Sequence, residues 1–156
     1  MSRATLLAAL TASAPLVVDT SVVLSYLNGD DVFSGAAAIV FDDLVAAGTH
    51  PATVSAVTVT ECLVRPFRTG PAAVATAQTF LTHFANLHVR AIDADLGAEA
   101  ARVRALAGLR TPDALVIATA LVEGIPTVVS ADDRWRGALA SFPALRLVHL
   151  KAHLPV

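Results

Sequence analysis

A chain of 156 residues, 55% apolar and 15% charged, has the length of one ordinary domain and enough apolar mass for a full core. A net charge of −2 excludes a surface that attracts nucleic acid as a whole, so any such role needs a local basic rim. The lone cysteine, Cys62, excludes an internal disulfide and a cysteine-built zinc site, and no apolar run reaches the ~18 residues of a membrane span.

Residues 4–10 form a short apolar stretch after Arg3, followed by Ala12-Ser13-Ala14. A helix packed on the domain is expected here. The alternative, a secretory leader, would have an unusually short apolar region behind a single basic residue. Residues 15–18 are compact and β-branched and predict a buried strand. Residues 21–27 predict a short helix stopped by Asn28-Gly29, and residues 34–47 a longer one ending at Gly48. Residues 50–55 predict a second strand, and residues 57–65 a helix that Pro66 and Gly70 end. Pro71 opens the next helix, with Val74, Ala77, Leu81 and Phe84 on its apolar face. A third strand is expected over residues 87–91. Asp93 then stands where it can cap a helix with the stripe Leu96, Ala100, Val103 and Leu106. Thr111-Pro112 starts a helix running to about Glu123, residues 127–130 form a strand, 133–140 a short helix and 145–149 the last strand.

Apolar strands separated by helices predict an α/β fold. It is a three-layer sandwich with a central parallel sheet, helices on both faces and right-handed crossovers. A single domain over residues 15–156 is expected, preceded by an extension over residues 1–14. The low charge content, below the roughly 25% usual in soluble domains, points to apolar surface covered by a second copy or by a bound protein.

In parallel sheets ligands bind beyond the carboxyl ends of the strands. Asp19 follows the first strand and Asp132 the fourth; Glu61 lies on the helix after the second strand, and Asp113 in the first turn of the Thr111-Pro112 helix. Singly, each acid has an ordinary explanation as a turn former, a helix-dipole partner or a solvent-facing charge. Together they converge. Glu61 interrupts the otherwise apolar residues 56–64, where a charge needs a partner. Asp113 precedes a helix apolar nearly all round. Carboxylates about 4 Å apart repel by on the order of 4 kcal/mol at an effective dielectric near 20. Such a cluster holds protons or a cation. With oxygen donors alone, Mg²⁺ or Mn²⁺ is favoured over Zn²⁺. His149 and His153 are spaced as ligands but are expected at the surface of the C-terminal tail.

Four stretches carry these acids in order: Val17-Val18-Asp19-Thr20-Ser21, Thr60-Glu61-Cys62-Leu63-Val64-Arg65-Pro66, Pro112-Asp113-Ala114-Leu115-Val116-Ile117-Ala118-Thr119-Ala120, and Ser130-Ala131-Asp132-Asp133-Arg134-Trp135. They resemble the PIN-domain family, and within it the VapC-type toxins of bacterial toxin–antitoxin pairs. The resemblance implies metal-ligating or catalytic acids at Asp19, Glu61, Asp113 and Asp132, with supporting hydroxyls at Ser21 and Ser130. It further implies an Mg²⁺-dependent endoribonuclease with an RNA substrate, a homodimer, and an antitoxin protein that blocks the site; the single cysteine is compatible with a cytoplasmic setting. Hydrolysis of that kind has water attack in line, leaving a 5′-phosphate and a 3′-hydroxyl. Arg65, Arg68, Arg110, Arg134 and Arg136 flank the acids, and of these Arg68 and Arg110 are the candidates for gripping phosphate. The chain departs from the family in its N-terminal extension and in Trp135, where phenylalanine is commoner.

A dehalogenase-type phosphatase needs a second Asp two residues after the first, where this chain has Ser21, and a buried lysine; Lys151 is the sole lysine and lies in the tail. A response-regulator receiver fails on the same lysine. A non-catalytic RNA- or protein-binding module of the same fold and a DNA nuclease stay open as alternatives.

Overall fold

Strands Leu16–Val18 (β1), Ala52–Ser55 (β2), Leu87–Arg90 (β3), Thr127–Ser130 (β4) and Arg146–His149 (β5) form one sheet in the order β3-β2-β1-β4-β5. Every pairing is parallel. This is the arrangement in the computed structural model, which describes residues 3–10 and 15–154. The Ala12-Ser13-Ala14 tract lies outside the described residues. From β1 the chain winds outward to β2 and β3, then returns to β4 on the other side of β1. The strand order therefore reverses between β1 and β4, and an open parallel sheet has its natural ligand crevice at such a reversal.

Helices cover both faces. Strand alternation sends Leu16, Val18, Ala52, Val54 and Val129 to one core and Val17 and Val128 to the other. The first core is roofed by Arg3–Ala9 (α1), Thr20–Asn28 (α2), Ser34–Ala38 (α3) and Pro71–His83 (α5). The second is roofed by Ala94–Ala107 (α6), Thr111–Val122 (α7) and Trp135–Ala138 (α8). Ala56–Thr69 (α4) bridges the two, with Cys62 and Leu63 in the first core and Val57 against the second. α1 seats Leu6 in the first core, and Leu10, just beyond its end, joins it. Among the described residues no single helix is long and apolar enough to cross a membrane.

Several elements depart from the sequence expectation for identifiable reasons. α4 continues past Arg65 to Thr69 with Pro66 inside it. A proline near a helix end withdraws one amide, and the Pro66 carbonyl still accepts from Gly70 N–H at 2.9 Å. Residues 34–47 are not one α-helix: after α3 the chain forms a π-helical stretch, Ile39–Val45, in which Ala46 N–H reaches Phe41 O at 2.8 Å. The wider turn delivers Phe41 into a ring cluster, with centroids 4.8 Å from Tyr26 and 5.2 Å from Phe80. Leu106 and Val74, expected in core stripes, are exposed and half-buried respectively. Asp93 does cap α6, accepting Leu96 N–H at 2.9 Å.

Candidate active site

Asp19 stands at the N-cap of α2 in extended backbone, yet its side chain makes no capping bond. Its Oδ2 instead accepts two hydroxyls, Ser21 Oγ at 2.6 Å and Ser130 Oγ at 2.8 Å. Each hydroxyl is itself aimed by a backbone amide from the segment after β4. Ala131 N–H donates to Ser21 Oγ and Asp132 N–H to Ser130 Oγ, both at 3.0 Å. Two residues distant in sequence thus fix one carboxylate oxygen at the sheet's reversal point. Asp19 is only 5% exposed. Burial pushes its carboxyl up to about 6; the bonds from Ser21 and Ser130 pull the other way, and the neighbouring Asp113 pushes it further up.

Asp113, 8% exposed, occupies the first turn of α7, which Pro112 pre-forms. Its Oδ2 accepts from Arg110 Nε at 3.1 Å. Asp132 is gripped more fully. It accepts Arg134 N–H at 2.9 Å, closing a local turn, and Arg134 Nε at 3.0 Å and 2.9 Å on its two oxygens, with Nη2 adding a further contact. The Arg134 guanidinium holds the Asp132 carboxyl below the usual carboxylate range, and Arg110 adds to the effect. Arg134 also senses Asp113 and Asp19, so it stands over the same pocket.

Glu61 arrives on α4. That helix is pinned beside the Asp19 segment by a buried pair of hydroxyls, Thr20 Oγ1 and Thr58 Oγ1, 2.9 Å apart. Glu61, one turn beyond Thr58, is half-buried. Burial, then Glu61, then Asp19 drive the Cys62 thiol up to about 12. The thiol stays protonated, and both carboxylates lie close enough to act on it. Neither Asp19 nor Glu61 has an ion-pair partner among the described residues.

Asp19 is thus tied to Ser21 and Ser130, Asp113 to Arg110 and Asp132 to Arg134; the charge of Arg134 is felt by all three aspartates, and Glu61 joins Asp19 in acting on Cys62. Among the described residues no three acid, imidazole or thiol groups are gathered tightly enough to hold a metal as they stand. Asp113 and Asp132 face guanidiniums instead. The donor set, carboxylates and hydroxyls without a thiolate or imidazole, fits a hard cation of the Mg²⁺ or Mn²⁺ kind. Arg68 is exposed in the last turn of α4, about two turns from Glu61. Arg65 turns to Asn28, its Nη1 3.4 Å from Oδ1. Arg136 lies 3.4 Å from Asp133. His149, expected at the surface, is buried at the end of β5, where its Nδ1 accepts Lys151 N–H at 3.2 Å.

The sequence matches the family described as PIN domain over residues 16–138. The chain belongs to the PIN domain family. A search of curated protein sequences finds no match. Solved structures with this fold include a toxin–antitoxin complex from Klebsiella pneumoniae, 17% identical, with a TM-score of 0.64 and coverage of 86% of this chain and 97% of that one. VapC20 of Mycobacterium tuberculosis, described as a sarcin–ricin loop cleaving toxin, is 23% identical, with a TM-score of 0.55 and coverage of 72% and 86%. VapBC2 of Rickettsia felis, bound to a DNA fragment from its promoter, is 15% identical, with a TM-score of 0.60 and coverage of 86% and 97%. These likenesses are in fold.

Two features of this PIN domain escaped the sequence reading. Arg134 was one flanking arginine among five, although the Asp132-x-Arg134 spacing in a turn is a local signal for the pair. The Thr20–Thr58 contact joins residues far apart in the chain and leaves no local signal.

Proposed function

We propose that this PIN domain is a divalent-metal-dependent endoribonuclease and the toxin of a toxin–antitoxin pair. The observation that carries the reading is Asp19: a buried carboxylate with two hydroxyls on one oxygen, in the charge field of Asp113, with no ion-pair partner among the described residues. A carboxylate left in that state is a ready ligand for a cation. Asp19 and Asp113 would hold the metal, with Glu61 and Asp132 completing the set and Ser21 and Ser130 orienting Asp19. When bound, the cation would supply charge for the phosphate oxygens and acidify a water. Arg110 would exchange Asp113 for a substrate phosphate, and Arg68 would extend the basic rim along α4.

An RNA substrate and an antitoxin partner are supported by the company the fold keeps, toxin–antitoxin complexes and a toxin described as cleaving the sarcin–ricin loop. A homodimer is supported by the low charge content and by exposed apolar residues such as Val64 and Phe67 on α4. Residues 15–156 would form the nuclease domain and residues 1–14 an extension, in a cytoplasmic protein. The four acids favour catalysis over a purely binding module; a DNA substrate is the remaining alternative, since the chemistry needs no 2′-hydroxyl.

Inducible expression in bacteria tests the reading. Wild type is expected to arrest growth and Asp19→Asn to permit it. Equal growth of both strains, or equal arrest, would sink the toxin assignment.

A further inference from the structure

Among the described residues, Ser55 Oγ, Trp135 Nε1 and His149 Nε2 are buried without a hydrogen-bond partner. Ser55 is the one beside Asp19. β1 and β2 pair Leu16 with Ala52 and Val17 with Thr53, so the same register two residues on sets Ser55 across from Asp19. On the other flank Val18 pairs with Val129, which sets Ser130 across from Asp19. Strand alternation puts Ser55, Asp19 and Ser130 on one face, the face that carries Val17 and Val128 into the core beneath α7. Neighbouring strands lie about 4.8 Å apart, so Asp19 has a serine on either side.

The two serines differ in what they do. Ser130 donates to Asp19 Oδ2, as Ser21 does. Among the described residues, the Ser55 hydroxyl bonds to nothing. It also stands at the N-cap of α4 in suitable backbone (φ −71°, ψ 147°) and still makes no capping bond. A hydroxyl sealed from water normally finds a partner. An ionised carboxylate offers about four acceptor positions, and among the described residues no side-chain donor reaches the Asp19 oxygen opposite Oδ2.

On the reading of these carboxylates as a cation site, we propose that Ser55 is a positioning residue for Asp19. When the carboxylate is ionised around a divalent cation, the Ser55 O–H turns to donate to it from the β2 side, as Ser130 does from the β4 side. Rotation about the Ser55 Cα–Cβ bond would swing the hydroxyl toward the neighbouring strand, and a charge-assisted O–H···O⁻ bond would favour it. Asp19 is then held from both neighbouring strands.

Mn²⁺ titration by calorimetry on wild type, Ser55→Ala, Ser55→Thr and Asp19→Asn tests this, alongside melting of the metal-free proteins. Ser55→Ala is expected to weaken Mn²⁺ binding about tenfold, in the range seen when a group that orients a metal ligand is removed. Ser55→Thr keeps the hydroxyl and restores most of the affinity. Metal-free Ser55→Ala should melt no lower than wild type, because the hydroxyl it loses has no partner there. Unchanged Mn²⁺ affinity in Ser55→Ala overturns the proposal; joined to a lower metal-free melting point, it makes Ser55 a helix cap instead. If wild type binds Mn²⁺ and only Asp19→Asn loses it, the Ser55 proposal fails alone. If wild type binds none, the cation-site reading fails with it. Should alanine prevent folding, Ser55→Cys keeps the volume with a weak donor and is read the same way.

Discussion

Asp19 is held at a cost that its own titration exposes. Burial raises its carboxyl from the ordinary value of 3.8 to about 6. The folded state therefore binds the proton more tightly than the unfolded state, and the stability this gives is full below pH 3.8 and lost as the pH rises through about 6. At neutral pH the deficit is on the order of 3 kcal/mol. Without metal, Asp19→Asn is expected to melt above wild type at neutral pH, and the gap should close as the pH is lowered toward 4. With saturating Mn²⁺ the order should reverse, because only the carboxylate binds the ion. A pH series of melting curves with and without Mn²⁺ reads both signs. Trp135 is fully buried, and among the described residues its Nε1 has no partner. Trp135→Phe discards that N–H and keeps most of the ring, so stability should change by less than about 1 kcal/mol. Trp135→Ala should cost about 3–5 kcal/mol. Chemical denaturation distinguishes the two.

Between α4 and the strands lies the clearest lesson on what local patterns reveal. β4 matches its expected bounds because its residues are buried on both faces and end in a polar turn. α4 was cut short because proline is read as a stop, whereas a single missing amide near a helix end is tolerated when the following carbonyls are satisfied. Pro66→Ala should therefore stabilise the protein by about 1–2 kcal/mol by restoring a donor and helical propensity, measurable as a higher denaturant midpoint with an unchanged slope. The π-helical stretch was invisible for a different reason. One extra residue per turn changes which side chains face inward, here favouring Phe41, without altering the residue types that suggest a helix. The acids at strand ends were legible because the parallel sheet sends all such ends to one edge. Which acid each flanking arginine would hold was not singled out, although both pairs are local: Arg110 lies three residues before Asp113 and Arg134 two after Asp132.

The topology brings scattered motifs to one edge of the sheet. β1 lies at the centre, β4 returns beside it, and α7 crosses the face above, so Asp19, Ser130, Asp132 and Asp113 meet although their positions run from 19 to 132. Against a net charge of −2, two arginines, Arg110 and Arg134, stand directly on these acids. Arg110 and Arg134 already occupy Asp113 and Asp132. On the proposed reading, a divalent ion held by Asp113 and Asp132 would have to displace these guanidiniums. Each arginine so released would be left beside the acids and able to meet an incoming anion, which would couple cation loading to nucleic-acid capture. Arg134→Ala should accordingly bind Mn²⁺ more tightly and RNA more weakly, two opposite shifts that titrations on one preparation would reveal.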